Sequence, residues 1–257
     1  FHKIESLISF VELHDIITIQ QTNGDDHKVV FYGKFSKKIP KKNTVTNLLY
    51  ILDKKKLLKN KKYLIKINKK IPQKSGLGGG SINASSVFMY LIKKNKLNLK
   101  FKQIKKISNQ VGSDVILGME KKNSILKGDG NLIRTNKKLN LHTLIIKPNI
   151  GCKTERIYNS VKTYSKEILK YNGGKMLKVD KLFNLKNDLE KVSFSKYPIL
   201  LNLKRNMLNL PSVLFVRMTG SGSSMVAYFN SKKAILIAAK ILKRKYKKYW
   251  CIVSKTI

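Results

Sequence analysis

The stretch Ile71-Pro72-Gln73-Lys74-Ser75-Gly76-Leu77-Gly78-Gly79-Gly80-Ser81-Ile82-Asn83-Ala84-Ser85-Ser86 limits the possible folds more than any other part of the chain. Four glycines fall within the five positions from Gly76 to Gly80. Such a run cannot be the interior of a strand or helix, because glycine loses more backbone entropy on folding than any other residue. Before it, Tyr63 to Ile67 reads as a strand. After it, Val87, Phe88, Leu91 and Ile92 recur at helical spacing, so a helix is predicted from near Ser81 to about Lys94. Strand, glycine loop and helix N-terminus together converge bare N–H groups and a helix dipole on an anion, most often phosphate. On residues alone, a flexible loop ahead of an N-capped helix fits as well. The spacing is neither G-x-x-x-x-G-K-[ST] nor G-x-G-x-x-G, which argues against P-loop and Rossmann readings.

The chain has 257 residues, enough for one large domain or two smaller ones with a real core. At 42% hydrophobic, with eleven Tyr and ten Phe, it belongs among globular proteins. No apolar run approaches the roughly 18 to 20 residues of a membrane span, and no signal-peptide pattern is visible. Cys152 and Cys251 are too few for a disulfide framework, and no Cys/His cluster suggests a metal site. A cytoplasmic setting with no membrane partner is therefore expected. The formal net charge of +40 raises the question of nucleic acid. Only five of the 54 basic residues are arginine (Arg134, Arg156, Arg205, Arg217 and Arg244), whereas nucleic-acid readers favour its bidentate fork. The lysines are scattered over every amphipathic segment, alongside Ile and Asn, which share A/T-rich codons with Lys. Compositional drift explains this pattern, and no specific nucleic-acid partner is expected.

Glu5 to Phe10, Asp15 to Gln20 and Lys28 to Tyr32 read as strands. Thr44 to Lys55 reads as a helix with Asn43 at its N-cap, a position that by itself explains the Asn. Gln103 to Val111 is a further helix, closed by Gly112-Ser113-Asp114-Val115, and short strands follow around Ser124 to Lys127 and Asn131 to Arg134. Past Lys137-Lys138 the pattern restarts. Strands are predicted at Leu141 to Lys147, Val213 to Met218, Met225 to Phe229 and Trp250 to Val253. Helices are predicted at Thr154 to Leu169, Val179 to Val192, Lys196 to Leu208 and Lys232 to Tyr246. From Leu141 on this is a ferredoxin-like split βαβ with helices inserted. Two domains are expected, residues 1–140 and 141–257, with a cleft between them.

Several separated stretches, in order, resemble the 4-diphosphocytidyl-2-C-methyl-D-erythritol kinases of the GHMP kinase superfamily. Phe1-His2 resembles the close of their N-terminal motif, and Ile71 to Ser86 their phosphate loop. Gly112-Ser113-Asp114-Val115 is similar to the motif that holds the catalytic Asp. Lys147-Pro148 through Thr154 and Tyr158, Asn187-Asp188-Leu189-Glu190, and Thr219-Gly220-Ser221-Gly222-Ser223 resemble motifs of the second domain. The resemblance implies an α+β, two-domain GHMP kinase fold: an N-terminal ribosomal-protein-S5-domain-2-like domain and a C-terminal ferredoxin-like domain. It also implies ATP-dependent phosphorylation of the 2-hydroxyl of the family's cytidylyl substrate, a step of the non-mevalonate route to isoprenoid precursors. Asp114 would accept the hydroxyl proton. Pro72, Lys74, Gly76, Leu77, Gly78, Gly79, Gly80, Ser81, Asn83, Asn43 and Lys69 would surround ATP and its Mg2+. His2, Phe1, Thr154, Tyr158, Gly220 and Gly222 would contact the small-molecule substrate. The protein would be a monomer or homodimer.

The chain departs from the family pattern in places. The family's first strand carries a Lys-x-Asn whose Lys sits beside the catalytic Asp; here it would precede Phe1, and without it weak or no activity is expected. Phe1 replaces the usual Tyr, Ile116 a Pro, and Ser85 an Ala, while Lys74 and Ser75 stand where small residues are usual. Two other readings stay open: a GHMP kinase of the homoserine or mevalonate type, and a decayed scaffold that binds nucleic acid non-specifically.

Overall fold

The computed structural model describes residues 5–128, 131–166, 169 and 182–257. Phe1 and His2 lie outside them. Strands β2 (Ile16–Thr22) and β3 (Lys28–Tyr32) largely alternate between exposed and half-buried residues, as one-faced strands do. Both pair with β4 (Lys62–Asn68), which buries Tyr63, Ile65 and Ile67. The order is β2-β4-β3, antiparallel on the first side and parallel on the second. A parallel pair needs a crossover, and α1 (Thr44–Lys54) supplies it, burying Val45, Leu48, Leu49 and Leu52 at i, i+3, i+4 and i+7. Next come α2 (Gly79–Lys94), α3 (Phe101–Val111) and a buried 3₁₀ turn, Val115–Met119. These elements form one compact unit, made of His14–Gln73 and Gly78–Lys121.

The other unit takes the described residues up to Leu13, Lys74–Leu77, and the described residues from Lys122 on. It contains a small sheet of β1 (Ser6–Ile8), β5 (Asn123–Leu126) and β6 (Leu132–Thr135), in the order β1-β5-β6. Its larger sheet is built from β7 (His142–Lys147), β8 (Phe215–Met218), β9 (Met225–Phe229) and β10 (Trp250–Lys255). The order β10-β7-β9-β8, antiparallel throughout, is the split βαβ order expected from the sequence. Its helices among the described residues include α4 (Thr154–Tyr158), α5 (Leu189–Lys196), α6 (Pro198–Leu208) and α7 (Lys232–Lys245). Leu200, Leu203 and Met207 of α6 and Ile235, Ala238, Ala239 and Leu242 of α7 share one core with Leu144, Ile146, Val216, Ala227 and Phe229 of the sheet. Proline at the first position of α6 fits, since its missing N–H would have no helical partner there.

Three expected elements depart most from their predicted extents. Strand β1 covers Ser6–Ile8 rather than Glu5 to Phe10. Helix α4 stops at Tyr158 instead of running on toward Leu169. Ser165 is bound elsewhere, its N–H and hydroxyl donating to the Asp188 carboxylate at 2.8 and 2.6 Å. The helix expected over Val179 to Val192 is interrupted at 185–188, and part of it lies outside the described residues. Asn187 donates to the carbonyls of Met218 and Gly220 (2.9 and 2.8 Å) and accepts from Leu189 N, which holds it at the start of a new helix. At both helix breaks an Asn or Asp side chain holds the backbone in place of helical bonds.

One titratable group ties β3 and α1 to β4. His27 Nδ1 accepts from Tyr63 N (3.0 Å), its Nε2 lies 3.2 Å from Asp53, and its ring stacks on Tyr63. Only the neutral imidazole can accept that amide. Burial lowers the His27 pKa below its ordinary value, with Asp53 opposing in part. A base whose folded pKa is depressed stabilises the fold above its unfolded pKa, and the contribution is lost as pH falls through the lower, folded value. On lowering pH from about 7.5 to about 5, the Tm of wild type should drop more than that of His27→Gln. Parallel Tm curves would show that His27 does not control this behaviour.

Candidate active site

Helix α2 starts with no side chain capping it. Its N-cap, Gly78, sits in the left-handed region at φ 67, and the first helical bond is Ile82 N to the Gly78 carbonyl. The amides of Gly79, Gly80 and Ser81 therefore have no partner within the helix. The contrast with α1 is direct. There Asn43 Oδ1 accepts from Val45 N and Thr46 N, forming a capping box with Thr46. A side chain at Gly78 would meet nothing within 4 Å, so the backbone here faces open space. Uncapped amides at the positive end of a helix dipole suit a phosphate.

The sequence placed Asn43, Lys69 and Asn83 around the nucleotide. The structure gives all three other partners. Asn43 is occupied by its cap, and its Nδ2 donates to the Pro40 and Lys41 carbonyls. Lys69 is buried and ion-paired with Asp15, and Asn83 Nδ2 donates to the same carboxylate at 2.8 Å. Pro72 is buried. Lys69 and Asn83 are buried polar groups that take the partner within reach, and the half-buried Asn43 is taken up by its own helix. Sequence reasoning passed over Asp15, which no motif marks. It also passed over Thr44, whose hydroxyl donates to the Gly80 carbonyl (2.8 Å), and Gln73, which donates to the carbonyls of Phe35 and Lys37.

Asp114 is exposed and caps the 3₁₀ turn at φ −89, ψ −2, in the sparsely populated bridge region. It accepts from Ser113 Oγ at 3.3 Å. Helix α2 fixes the turn behind it: Ser85 Oγ bonds both the Ser81 and Val115 carbonyls, at 2.9 and 2.5 Å. A Cβ at Gly118 would lie 2.6 Å from that hydroxyl, so the packing leaves no room for one. The Ser85 that departs from the family's Ala thus joins α2 to the residue after Asp114.

The other predicted residues belong to the second unit. Gly76 lies against the loop Thr219 to Ser224: Thr219 Oγ1 donates to the Gly76 carbonyl (2.9 Å) and Ser224 N to the Ser75 carbonyl (3.1 Å). Lys74 is exposed at φ 51, and its side chain packs on Gly151. Leu77 is half-buried. Gly220 and Gly222 adopt positive φ, and Thr154 Oγ1 meets Ser221 Oγ at 3.0 Å. Asn187 supports the loop through its two bonds to the 218 and 220 carbonyls, and Glu190 accepts from Met218 N (2.8 Å) while pairing with Lys204. Tyr158 is half-buried against the core of this unit. Lys147 is buried, donating to the Pro148 and Ile150 carbonyls, and burial lowers its pKa.

Comparison with known proteins agrees with this geometry. Residues 43–121 match the GHMP kinases N terminal domain, and residues 165–248 match GHMP kinases C terminal. A 4-diphosphocytidyl-2-C-methyl-D-erythritol kinase of Pelagibacter ubique is 51% identical over 256 residues, covering 100% of this chain and 91% of that protein. A crystal structure of 4-(cytidine 5'-diphospho)-2C-methyl-D-erythritol kinase superposes with a TM-score of 0.75 at 20% identity, covering 98% of this chain and 90% of its own. Homoserine kinase from Cytophaga hutchinsonii gives 0.69 at 16% identity, covering 97% and 88%. At such identities the two structures bear on the fold alone, which is the two-domain α+β kinase fold expected from the sequence.

The loop's glycines should respond differently to substitution. A Cβ at Gly76 would lie 2.2 Å from the Thr219 carbonyl oxygen and 2.8 Å from that of Gly222, backbone atoms that cannot swing aside. Gly78→Ala adds only left-handed strain, about 1–2 kcal/mol. Denaturant unfolding should therefore show a larger loss for Gly76→Ala than for Gly78→Ala; equal losses would contradict the close approach at Gly76.

Proposed function

We infer the reaction from one premise: this chain belongs to the 4-diphosphocytidyl-2-C-methyl-D-erythritol kinase family, within the GHMP kinases. It is an ATP-dependent small-molecule kinase, and its proposed acceptor is the 2-hydroxyl of 4-diphosphocytidyl-2-C-methyl-D-erythritol. The observation that carries this reading is the uncapped start of α2, with the exposed carboxylate of Asp114 held on a turn bonded to the same helix. Phosphoryl transfer asks a protein for positioning and charge stabilisation more than for covalent chemistry. In the proposed reaction the amides of Gly78, Gly79, Gly80 and Ser81 bind the ATP phosphates. The acceptor oxygen bonds to the γ-phosphorus, the bond to the β–γ bridging oxygen breaks, and ADP leaves. The hydroxyl proton passes to Asp114.

Magnesium brought with the nucleotide would supply charge neutralisation on its phosphates. The described residues hold no group of three or more His, Cys, Asp or Glu side chains able to grip a metal. On the acceptor side we place Thr154, Tyr158, Gly220 and Gly222, with Tyr158 stacking on the cytosine. His2 and Phe1, assigned to the same base, lie outside the described residues. Residues 1–140 are proposed as the ATP-binding domain and 141–257 as the second domain. The two family matches fall on either side of that line, although the contact-dense units interleave differently. A cytoplasmic location is proposed from the free thiols of Cys152 and Cys251 and from the lack, among the described residues, of a helix long and apolar enough to cross a membrane.

ADP release by the full-length protein should require the cytidylyl alcohol. Turnover with homoserine or mevalonate, and none with the cytidylyl alcohol, would overturn the reading. Asp114→Asn should lower kcat by about 10² to 10⁴-fold while ATP still binds. A near-normal rate would remove Asp114 from the chemistry.

A further inference from the structure

The side chain of Asp15 is fully buried, yet Asp15 lies just before β2 and belongs to none of the motifs above. Both of its oxygens are engaged. Oδ1 accepts from Lys70 N (2.8 Å) and Ile71 N (2.9 Å), the two amides immediately before Pro72. Oδ2 is ion-paired with Lys69 and accepts from Asn83 Nδ2 (2.8 Å), in the second turn of α2. A single carboxylate thus grips the backbone where β4 runs into the glycine stretch and the helix where that stretch ends. We propose that Asp15 is a positioning residue for nucleotide binding: with Lys69 as its internal counter-charge, it sets the placement of the Gly78–Ser81 amides. This rests on the reading of those amides as the ATP phosphate site.

The chemistry favours a clamp over a direct contact. A buried carboxylate with four donors has no lone pair left for a ligand or metal. Lys69 is 5% exposed, and its charge is neutralised before any phosphate arrives. Removing one partner of a buried pair strands the other charge, whereas removing both is often tolerated. The clamp and the direct-contact reading therefore predict different double variants. If Lys69 bound phosphate, its loss would weaken ATP binding with or without Asp15. If Lys69 only balances Asp15, removing both should restore the site, because the Asn83 amide can turn its oxygen toward an Asn at position 15 while that residue's oxygen keeps the two backbone amides.

The experiment compares wild type, Asp15→Asn and Asp15→Asn/Lys69→Met, following a non-hydrolysable ATP analogue by calorimetry together with KM for each substrate. Asp15→Asn should weaken nucleotide binding and raise KM for ATP by at least about tenfold, the effect of about 1.4 kcal/mol at the site, with the KM of the acceptor unchanged. The double variant should return to within about threefold of wild type, a residual of under about 1 kcal/mol. The proposal is overturned if Asp15→Asn lowers Tm but leaves ATP binding intact, if both KM values rise together, or if the double variant binds ATP as weakly as the single one. Should Asp15→Asn fail to fold, the double variant alone decides: near-native nucleotide binding supports the clamp and weak binding refutes it. Wild type that binds no ATP would instead refute the phosphate site itself.

Discussion

A helix whose first amides carry no cap is an unmet electrostatic demand, and the rest of this structure serves the one at the start of α2. The N–H groups at the positive end of the dipole are worth most to an anion when held still and kept free of competing side chains. Glycine at 78, 79 and 80 removes such side chains. The left-handed turn at Gly78 lets the chain leave the loop and start the helix within one residue.

What holds those amides still lies behind them. Asp15 and its four donors fasten the strand before the loop to the helix after it, and the Thr44 hydroxyl fastens α1 to Gly80. Ser85 extends the same helix to the turn that carries Asp114, so the phosphate helix and the proposed base share one support. In the other unit the Thr219 to Ser224 loop plays a comparable part for Ser75 and Gly76, and is itself supported by Asn187 and Glu190. Satisfied polar networks of this kind fix geometry well, and half-satisfied ones are costly, so single substitutions in them should act sharply.

Much of this was legible in the sequence. The glycine run, the helix behind it and the strand before it could be read because entropy and periodicity act locally. The four-strand order of the second half followed from counting elements. Asn43 as an N-cap was equally readable, since capping needs only a residue and its next three neighbours. Partners distant in sequence were not readable. Lys69 was one lysine among many, and its direction depends on a carboxylate 54 positions away. Asp15 looked like the polar edge of a strand. Ser85 looked like a tolerated replacement of a small residue until its bond to Val115, 30 positions on, gave it a purpose. The helix breaks after Tyr158 and around Asn187 likewise reflect side chains that bond across the fold rather than along the chain.

The central claim is that backbone amides, not lysine side chains, hold the phosphates of ATP. Amide-resolved hydrogen exchange with and without a non-hydrolysable ATP analogue tests it most directly. The account predicts that exchange slows at Gly79, Gly80 and Ser81 when the analogue binds. Bound analogue with unchanged exchange at those three amides would contradict it.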